Sequence, residues 1–375
     1  MMCDNVTLSS ISIGNRGSYG IAASAVNFSE NLYTYLRITD ITDDGRLDRS
    51  VLKSVDDKRA HLYLLKPNDI VFARTGASTG RNYFYDGSDG ELVYAGFLIK
   101  FSLDPAKVNP RYIKYYCMSS QYKNWIRAFS TGSTRGNINA QTFGNMPILL
   151  PNRSQQDSIV SILKPLDDKI ELNKRINANL EQQAQAIFKN WFINSDYRLG
   201  TVSEIIEYHD SKRIPLSSCE RSKLTKIYPY YGATSVMDYV DRYIFDGVYL
   251  LLGEDGTVTD SRGFPVLQYV DGKFWVNNHA HVITGKNGFS VELLYILFSL
   301  TNVQSTVTGA VQPKISQASL NNVSVVIPPK SELQKLDSII QPFFAMIRNL
   351  KRENKTLAQI RDSLLPKLIS GEIEL

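Results

Sequence analysis

Cysteine is scarce. Cys3, Cys117 and Cys219 are scattered through 375 residues with no CxxC pair, which excludes a disulfide framework and a cysteine-based zinc site. Long apolar runs are missing too, since the most apolar stretch, residues 293–300, is far too short to span a bilayer. The opening MMCDNVTLSS carries neither the basic nor the apolar segment of an export signal, so the expectation is a cytoplasmic protein. No charge of one sign dominates, and a net charge of +5 with a pI near 8.8 tolerates a polyanion without demanding one. Also absent are the GxGxxG cradle, the Walker loop, the Gly-x-Ser-x-Gly elbow and HExxH. Neither an FxGxG cofactor loop nor an NPPY or DPPY tetrad occurs. The nearest string, Ile327-Pro328-Pro329-Lys330, lacks the Asn or Asp that such chemistry uses to hold an amino group. The expectation is a chain with no catalytic residue and no metal or cofactor of its own.

What is present is periodicity. Residues 151–192 read as helix, with Ile159, Leu163, Leu166, Ile170, Asn173, Asn177, Leu180, Ala184, Ile187 and Trp191 in the alternating steps of a coiled-coil seam. Ser154 and Asp157 have the spacing of a capping box, and Pro165 predicts a kink or a fresh start. The partner helix lies in the same chain. Thr131, Gly132, Ile138, Pro151, Ser154, Ser161, Ile162, Pro165, Ile170, Lys174, Arg175, Asn177 and Leu180 recur at Thr308, Gly309, Ile315, Pro328, Ser331, Ser338, Ile339, Pro342, Ile347, Lys351, Arg352, Asn354 and Leu357. The offset is constant (308 minus 131, or 177) and the match has no gap, so the chain carries an internal duplication. The second seam is then Leu336, Ile340, Phe343, Ile347, Leu350, Asn354, Leu357, Arg361, Leu364 and Leu368. Asn177 and Asn354 occupy the same seam position, where a polar residue fixes register at some cost in stability. An antiparallel pair would bring these two asparagines together or nearly so.

Before each helix lies a segment of mixed character. In residues 1–150, strand-like runs at 33–38, 69–73, 92–101 and 148–150 alternate with glycine-marked loops, and residues 110–129 have helical spacing. Residues 194–327 repeat this order, with strand-like runs at 240–245, 248–252, 266–270 and 274–276, a helix over 291–300 and a strand over 325–327. The fold class is therefore α+β: two pseudo-symmetric globules separated by two long antiparallel coiled-coil helices.

The loops of both globules carry residues suited to nucleic acid, because Arg can fork onto guanine, Asn and Gln onto adenine, and glycine lets backbone amides approach a phosphate. In the first globule the candidates are Arg74, Thr75, Ser78, Arg81, Arg135 and Asn137. In the second they are Lys226, Tyr230, Thr234, Thr257, His279, Gln312 and Lys314. Surface loops are also rich in such residues for turn geometry and solubility, so each loop alone is compatible with a solvated turn. His279 and His281 share a face of a strand at i and i+2, yet no third ligand of suitable spacing accompanies them, so structural or DNA-contacting roles fit better than a metal.

Assembled, these parts resemble the specificity subunit of Type I restriction-modification systems. The resemblance spans the chain and rests most on KIYPYYGATSVMDYVDRYIFDGVYLLLGEDGTV, VNNHAHVI, LEQQAQAIFKNWF and the ending LAQIRDSLLPKLISGEIEL, with RITDITDDG and KPNDIVFARTGASTG as looser matches. It implies four parts: a target-recognition domain over 1–150, a spacer helix over 151–194, a second recognition domain over 195–327 and a second spacer helix over 328–375. It implies recognition of a bipartite site in double-stranded DNA, one half-site per domain. It also implies docking of two methyltransferase subunits and of restriction/translocase subunits, with S-adenosylmethionine, ATP and Mg bound by those partners and no membrane involved. A specificity component of a related multi-subunit restriction enzyme, or a coiled-coil scaffold that binds protein, are the alternatives.

Overall fold

The computed structural model describes residues 3–49, 52–129, 137–192, 197–309 and 311–373. Two compact units emerge, one comprising residues 1–170 with 356–375 and the other residues 171–355. Each unit takes one globule together with a stretch of both helices.

In the first unit, the strands Ser18–Tyr19, Leu98–Ser102, Asp69–Ala73 and Asn82–Tyr85 form one antiparallel sheet in that order. Ala25–Asn27, Lys53–Val55, Tyr33–Leu36 and Leu92–Tyr94 form a second. A ribbon of Cys3–Thr7 with Pro147–Pro151 delivers the chain to the first long helix, Arg153–Phe192. The helix expected over 110–129 is interrupted. Pro110–Tyr116 and Ser120–Arg127 are separate helices, because the Ser119 hydroxyl accepts from the Tyr122 amide and caps a new start. Phe72, Phe101, Tyr112, Tyr115 and Phe143 fill the core, and Ile159 and Leu163 of the first long helix join Leu365 and Leu368 of the second against it.

The second unit has a six-stranded sheet in the order Ile206–Tyr208, Ala280–Gly285, Phe245–Gly253, Leu267–Val276, Tyr228–Tyr231 and Val236–Val240. Its first four strands run antiparallel, as in the four-stranded sheet built on Asp69–Ala73. The run expected over 240–245 is instead a turn between two strands, while 266–270 and 274–276 belong to one long strand. The ribbon recurs as Arg198–Thr201 with Ser324–Ile327, and Val291–Ser299 is the expected helix. Behind the sheet, Leu250, Leu252, Ile283, Leu294 and Phe298 pack with Ala184 and Phe188 of the first long helix and Leu333, Leu336, Ile340, Phe344 and Ile347 of the second, Lys330–Ser370.

In each unit the early part of one long helix meets the late part of the other, so the pairing is antiparallel. The buried seam runs through Ile159, Leu163, Asp167, Ile170, Asn173, Asn177, Ala184 and Phe188, and through Leu336, Ile340, Phe344, Ile347, Leu350, Arg361, Leu365 and Leu368. Leu166, Ile187, Phe343 and Leu364 are only half-buried, each one residue before a buried Asp167, Phe188, Phe344 or Leu365. A helix advances 3.6 residues per turn, so a strict seven-residue reading drifts off the true stripe. Leu180, Asn354 and Leu357 are half-buried on the same side. Asn354 takes its hydrogen bond from Asn173 (2.9 Å), one turn before Asn177, and the Asn173 amide reaches Glu353 as well (2.8 Å).

Pro165 and Pro342 both lie inside helices that continue through them. Each is exposed, so the one lost backbone bond faces water while the seam keeps its packing. The expected cap is also shifted, since the Asn152 side chain accepts from the Gln155 amide while Asp157 pairs with Arg153 and Asn109.

Arg361, which looks like a flaw in the seam, is one end of a buried charge cluster in the first unit. Asp167 accepts from Arg361 (2.9 Å), Lys114 (2.9 Å) and the Tyr115 hydroxyl (3.1 Å), with Arg46 at 3.7 Å. Burial opposes the charge on Asp167, but Lys114 and Arg361 outweigh it and hold the carboxyl at about 2. In the second unit the duplicated positions are Ala184 and Phe344, an apolar pair.

Candidate nucleic-acid interface

Both globules build the same loop junction from backbone hydrogen bonds. In the first unit the strand Asp69–Ala73 runs into Arg74, whose amide donates to Phe97 O (3.1 Å) and whose carbonyl accepts from Ile138 (2.9 Å). Thr75 then bridges Asn137. In the second unit Phe245–Gly253 runs into Glu254, whose amide donates to His279 O (2.9 Å) and whose carbonyl accepts from Ile315 (2.9 Å). Asp255 then bridges Lys314. Next come Gly76 (φ 77°) and Gly256 (φ 84°), left-handed positions that turn the chain away. Ile138 and Ile315 are related by the 177-residue offset, whereas Arg74 and Glu254 are not, because an insertion separates the strands from the repeat visible in sequence. The junction thus joins the two loop types picked out from sequence.

The side chains on this shared backbone differ. Arg74 lays its guanidinium over the Tyr19 ring (5.1 Å), and its buried Nε has no partner among the described residues. Arg81 is tied down, donating to Ile41 O (3.1 Å) and pairing with Asp43 (2.7 Å), so it shapes the loop. The Ser78 carbonyl accepts from the Arg81 amide, Thr75 is half-buried and Asn137 is exposed. Arg135 lies outside the described residues.

In the second unit, Tyr230 is buried at 1% exposure with its hydroxyl accepting from the Leu216 amide, and is therefore a core residue rather than a surface contact. Lys226 is held by Asp238 (2.9 Å) and the Arg221 carbonyl (2.7 Å). Thr234, Thr257 and Gln312 are exposed. Lys314 is half-exposed with its ammonium 3.3 Å from Glu254, and Thr308 and Lys314 exchange both backbone hydrogen bonds (2.8 Å each) to close the hairpin that carries Gln312.

Beneath this hairpin lies a network that sequence spacing did not suggest. His281 is 1% exposed, with Nδ1 2.6 Å from Asp210 and Nε2 2.8 Å from Ile315 O. Glu254 takes Arg213 (2.7 Å), and Gln317 donates to Asp210 (2.6 Å). Burial would raise the Asp210 carboxyl, but the His281 ring and the Val282 amide outweigh it and keep it below the ordinary range. Asp210, Glu254 and His281 place ligand atoms within 4.8 Å of one another, yet the Arg213 guanidinium already pairs with both carboxylates, 3.5 Å from Asp210 and 2.7 Å from Glu254. The arrangement ties a strand, a loop and a hairpin together. His279, by contrast, points its ring at Asp255 and stays partly open to solvent.

The comparisons agree with this doubled architecture. The family profile described as the Type I restriction modification DNA specificity domain matches twice, over residues 18–182 and 194–359, and the chain belongs to that family. The MjaIX Type I restriction enzyme specificity subunit of Methanocaldococcus jannaschii is 26% identical over 70% of this chain and 68% of its own. A putative type I specificity subunit of Haemophilus influenzae, S.HindORF215P, is 30% identical over 40% of this chain and 38% of its own. In fold, the chain is similar to the crystal structure of a Type-I restriction-modification system S subunit from M. genitalium, with a TM-score of 0.52, 18% identity, and 98% of this chain and 96% of that one covered. No helix among the described residues is long and apolar enough to cross a membrane.

Proposed function

We propose that the chain is the DNA-reading subunit of a Type I restriction-modification complex, taking one half of a bipartite site with each globule. The observation that carries this is the repeated loop junction, with one backbone ladder in both units and unlike side chains mounted on it. A ladder of main-chain bonds tolerates substitution of its side chains, which is what a scaffold for differing base contacts needs. The chain itself transfers no methyl group and cuts no DNA. It docks two methyltransferase subunits and, for cleavage, a translocating endonuclease subunit, and S-adenosylmethionine, ATP and Mg bind to those partners. The long helices supply the common surface for them, since their seams keep the repeat most faithfully.

The test exchanges residues 1–150 for the corresponding domain of another family member and maps the methylated sequence in a host that supplies the methyltransferase. One half of the site should change. If both halves change, or neither does, the modular reading fails. Methyl transfer from labelled S-adenosylmethionine by the pure chain would overturn the assignment of chemistry to partners.

A further inference from the structure

The backbone junction makes Phe97 and His279 equivalent. Each gives its carbonyl to the amide of the residue that ends the central strand, Arg74 or Glu254. Each directly precedes the strand paired with that one, in the registers Ala73 to Leu98 and Gly253 to Ala280. Sequence offset hides the relation, since 279 minus 97 is 182 rather than 177. Both side chains are open to solvent. Phe97 is 59% exposed although it is a large apolar residue, and the His279 side chain is 44% exposed.

His279 is also braced as a solvent-facing turn residue would not need to be. Its Nδ1 lies 2.5 Å from Asp255 Oδ1, its amide donates to Asn277 Oδ1 (2.8 Å), and Asp255 is itself fixed by its bridge to Lys314. A carboxylate only accepts, so Nδ1 carries a proton, and in the neutral imidazole this leaves Nε2 as the acceptor. Such an acceptor matches the amino groups that adenine and cytosine show in the major groove, and an exposed aromatic ring matches the thymine methyl. The geometry points to Phe97 and His279 as the equivalent base-reading residues of the two domains, Phe97 contacting a thymine methyl and His279, with its tautomer set by Asp255, accepting from an adenine or cytosine amino group. This rests on the DNA-reading function proposed above.

The test selects duplexes from a randomised library with the full chain assembled on its methyltransferase subunits, comparing wild type with Phe97→Ala, His279→Ala and Asp255→Asn. His279→Ala should relax one position of one half-site, losing roughly five- to tenfold in discrimination there, and Phe97→Ala should relax one position of the other half. Asp255→Asn can donate to Nδ1 and move the ring proton to Nε2, so the same position should shift toward guanine or thymine. A role confined to folding would lower recovery of every sequence alike, and that uniform loss, or an unchanged consensus in Phe97→Ala and His279→Ala, would overturn the assignment. Should His279→Ala lose thermal stability, His279→Gln keeps an acceptor and should retain the preference; relaxation there would also overturn it. A wild-type complex that recovers no consensus would refute DNA reading itself, a result distinct from failure of the two-residue assignment.

Discussion

Removing Asp167 should damage the first unit more than removing its partner Arg361, and the reason lies in how each end of the pair is surrounded. Asp167 faces three cations and a phenol, whereas Arg361 faces Asp167 and Asp362, an exposed carboxylate. In Asp167→Asn the Arg361 guanidinium, 5% exposed, loses its buried counter-charge, and breaking one side of a buried pair costs about 3–5 kcal/mol. In Arg361→Met the aliphatic volume stays and Asp167 keeps Lys114 and Tyr115, so about 1–2 kcal/mol should be lost. A second route gives a similar scale. Lowering a carboxyl from the ordinary 3.8 to about 2 corresponds to roughly 2 kcal/mol of stabilisation by the charged form.

The sign of the pH dependence follows from that depression. The folded value lies below the unfolded one, so the stabilisation is complete above about pH 4 and disappears as pH falls through about 2. The penalty of Asp167→Asn should shrink over the same window. Because two units share the chain, hydrogen exchange of the amides in 159–170 and 357–368 is a better measure than one global melt. The reasoning is refuted if Arg361→Met opens this region more than Asp167→Asn does, or if Asp167→Asn changes its opening free energy by less than about 0.5 kcal/mol.

Other perturbations test separate parts. Asn177 is buried and its Oδ1 has no partner among the described residues, so Asn177→Leu should stabilise the second unit by about 1 kcal/mol, whereas Asn173→Leu should destabilise it by losing Asn354 and Glu353; urea unfolding distinguishes the two. Glu292 is buried and takes Arg348 (2.8 Å), the Tyr269 hydroxyl (2.6 Å) and Gln341 (2.9 Å), so Glu292→Gln should cost about 1–3 kcal/mol in the same assay. His281→Ala strips Asp210 and Ile315 O of one partner, and amides over 308–315 should exchange at least about tenfold faster, since about 1.4 kcal/mol in the opening equilibrium is a factor of ten.

The α+β class, the duplication and the antiparallel helices were legible because apolar spacing and self-similarity record them directly. Misreadings came where an apolar residue neighboured the residue that is truly buried. Leu166 beside Asp167 is the clearest case, because a hydrophobic pattern cannot anticipate that Lys114 and Arg361 will make a carboxylate acceptable inside. Tyr230 shows a related effect: its sequence neighbours read as a loop that offers it to DNA, yet they form a strand with the tyrosine turned inward, in core packing. The partners of His281 were hidden because Asp210 and Glu254 are 71 and 27 residues away in sequence, and only the sheet order brings them together.

Charge reversal at one position explains how duplicated globules can diverge without losing the junction. Arg74 and Glu254 occupy equivalent places in different local settings, with the Tyr19 ring under the Arg74 guanidinium in one case and Arg213 and Lys314 beside Glu254 in the other. The neighbouring segment differs too: the strand residue Tyr19 pairs with Ile99, whereas in the second unit Asp210, just beyond the strand Ile206–Tyr208, meets His281. The two main-chain bonds through residue 74 or 254 survive both solutions because they do not depend on side-chain identity. Above that layer the exposed positions are released from packing, and they are where Phe97 and His279 differ. The helix seams have no such buffer. A residue there meets other side chains directly: Asp167 and Arg361 form an ionic pair in the first unit, whereas the duplicated positions, Phe344 and Ala184, belong to the apolar core of the second.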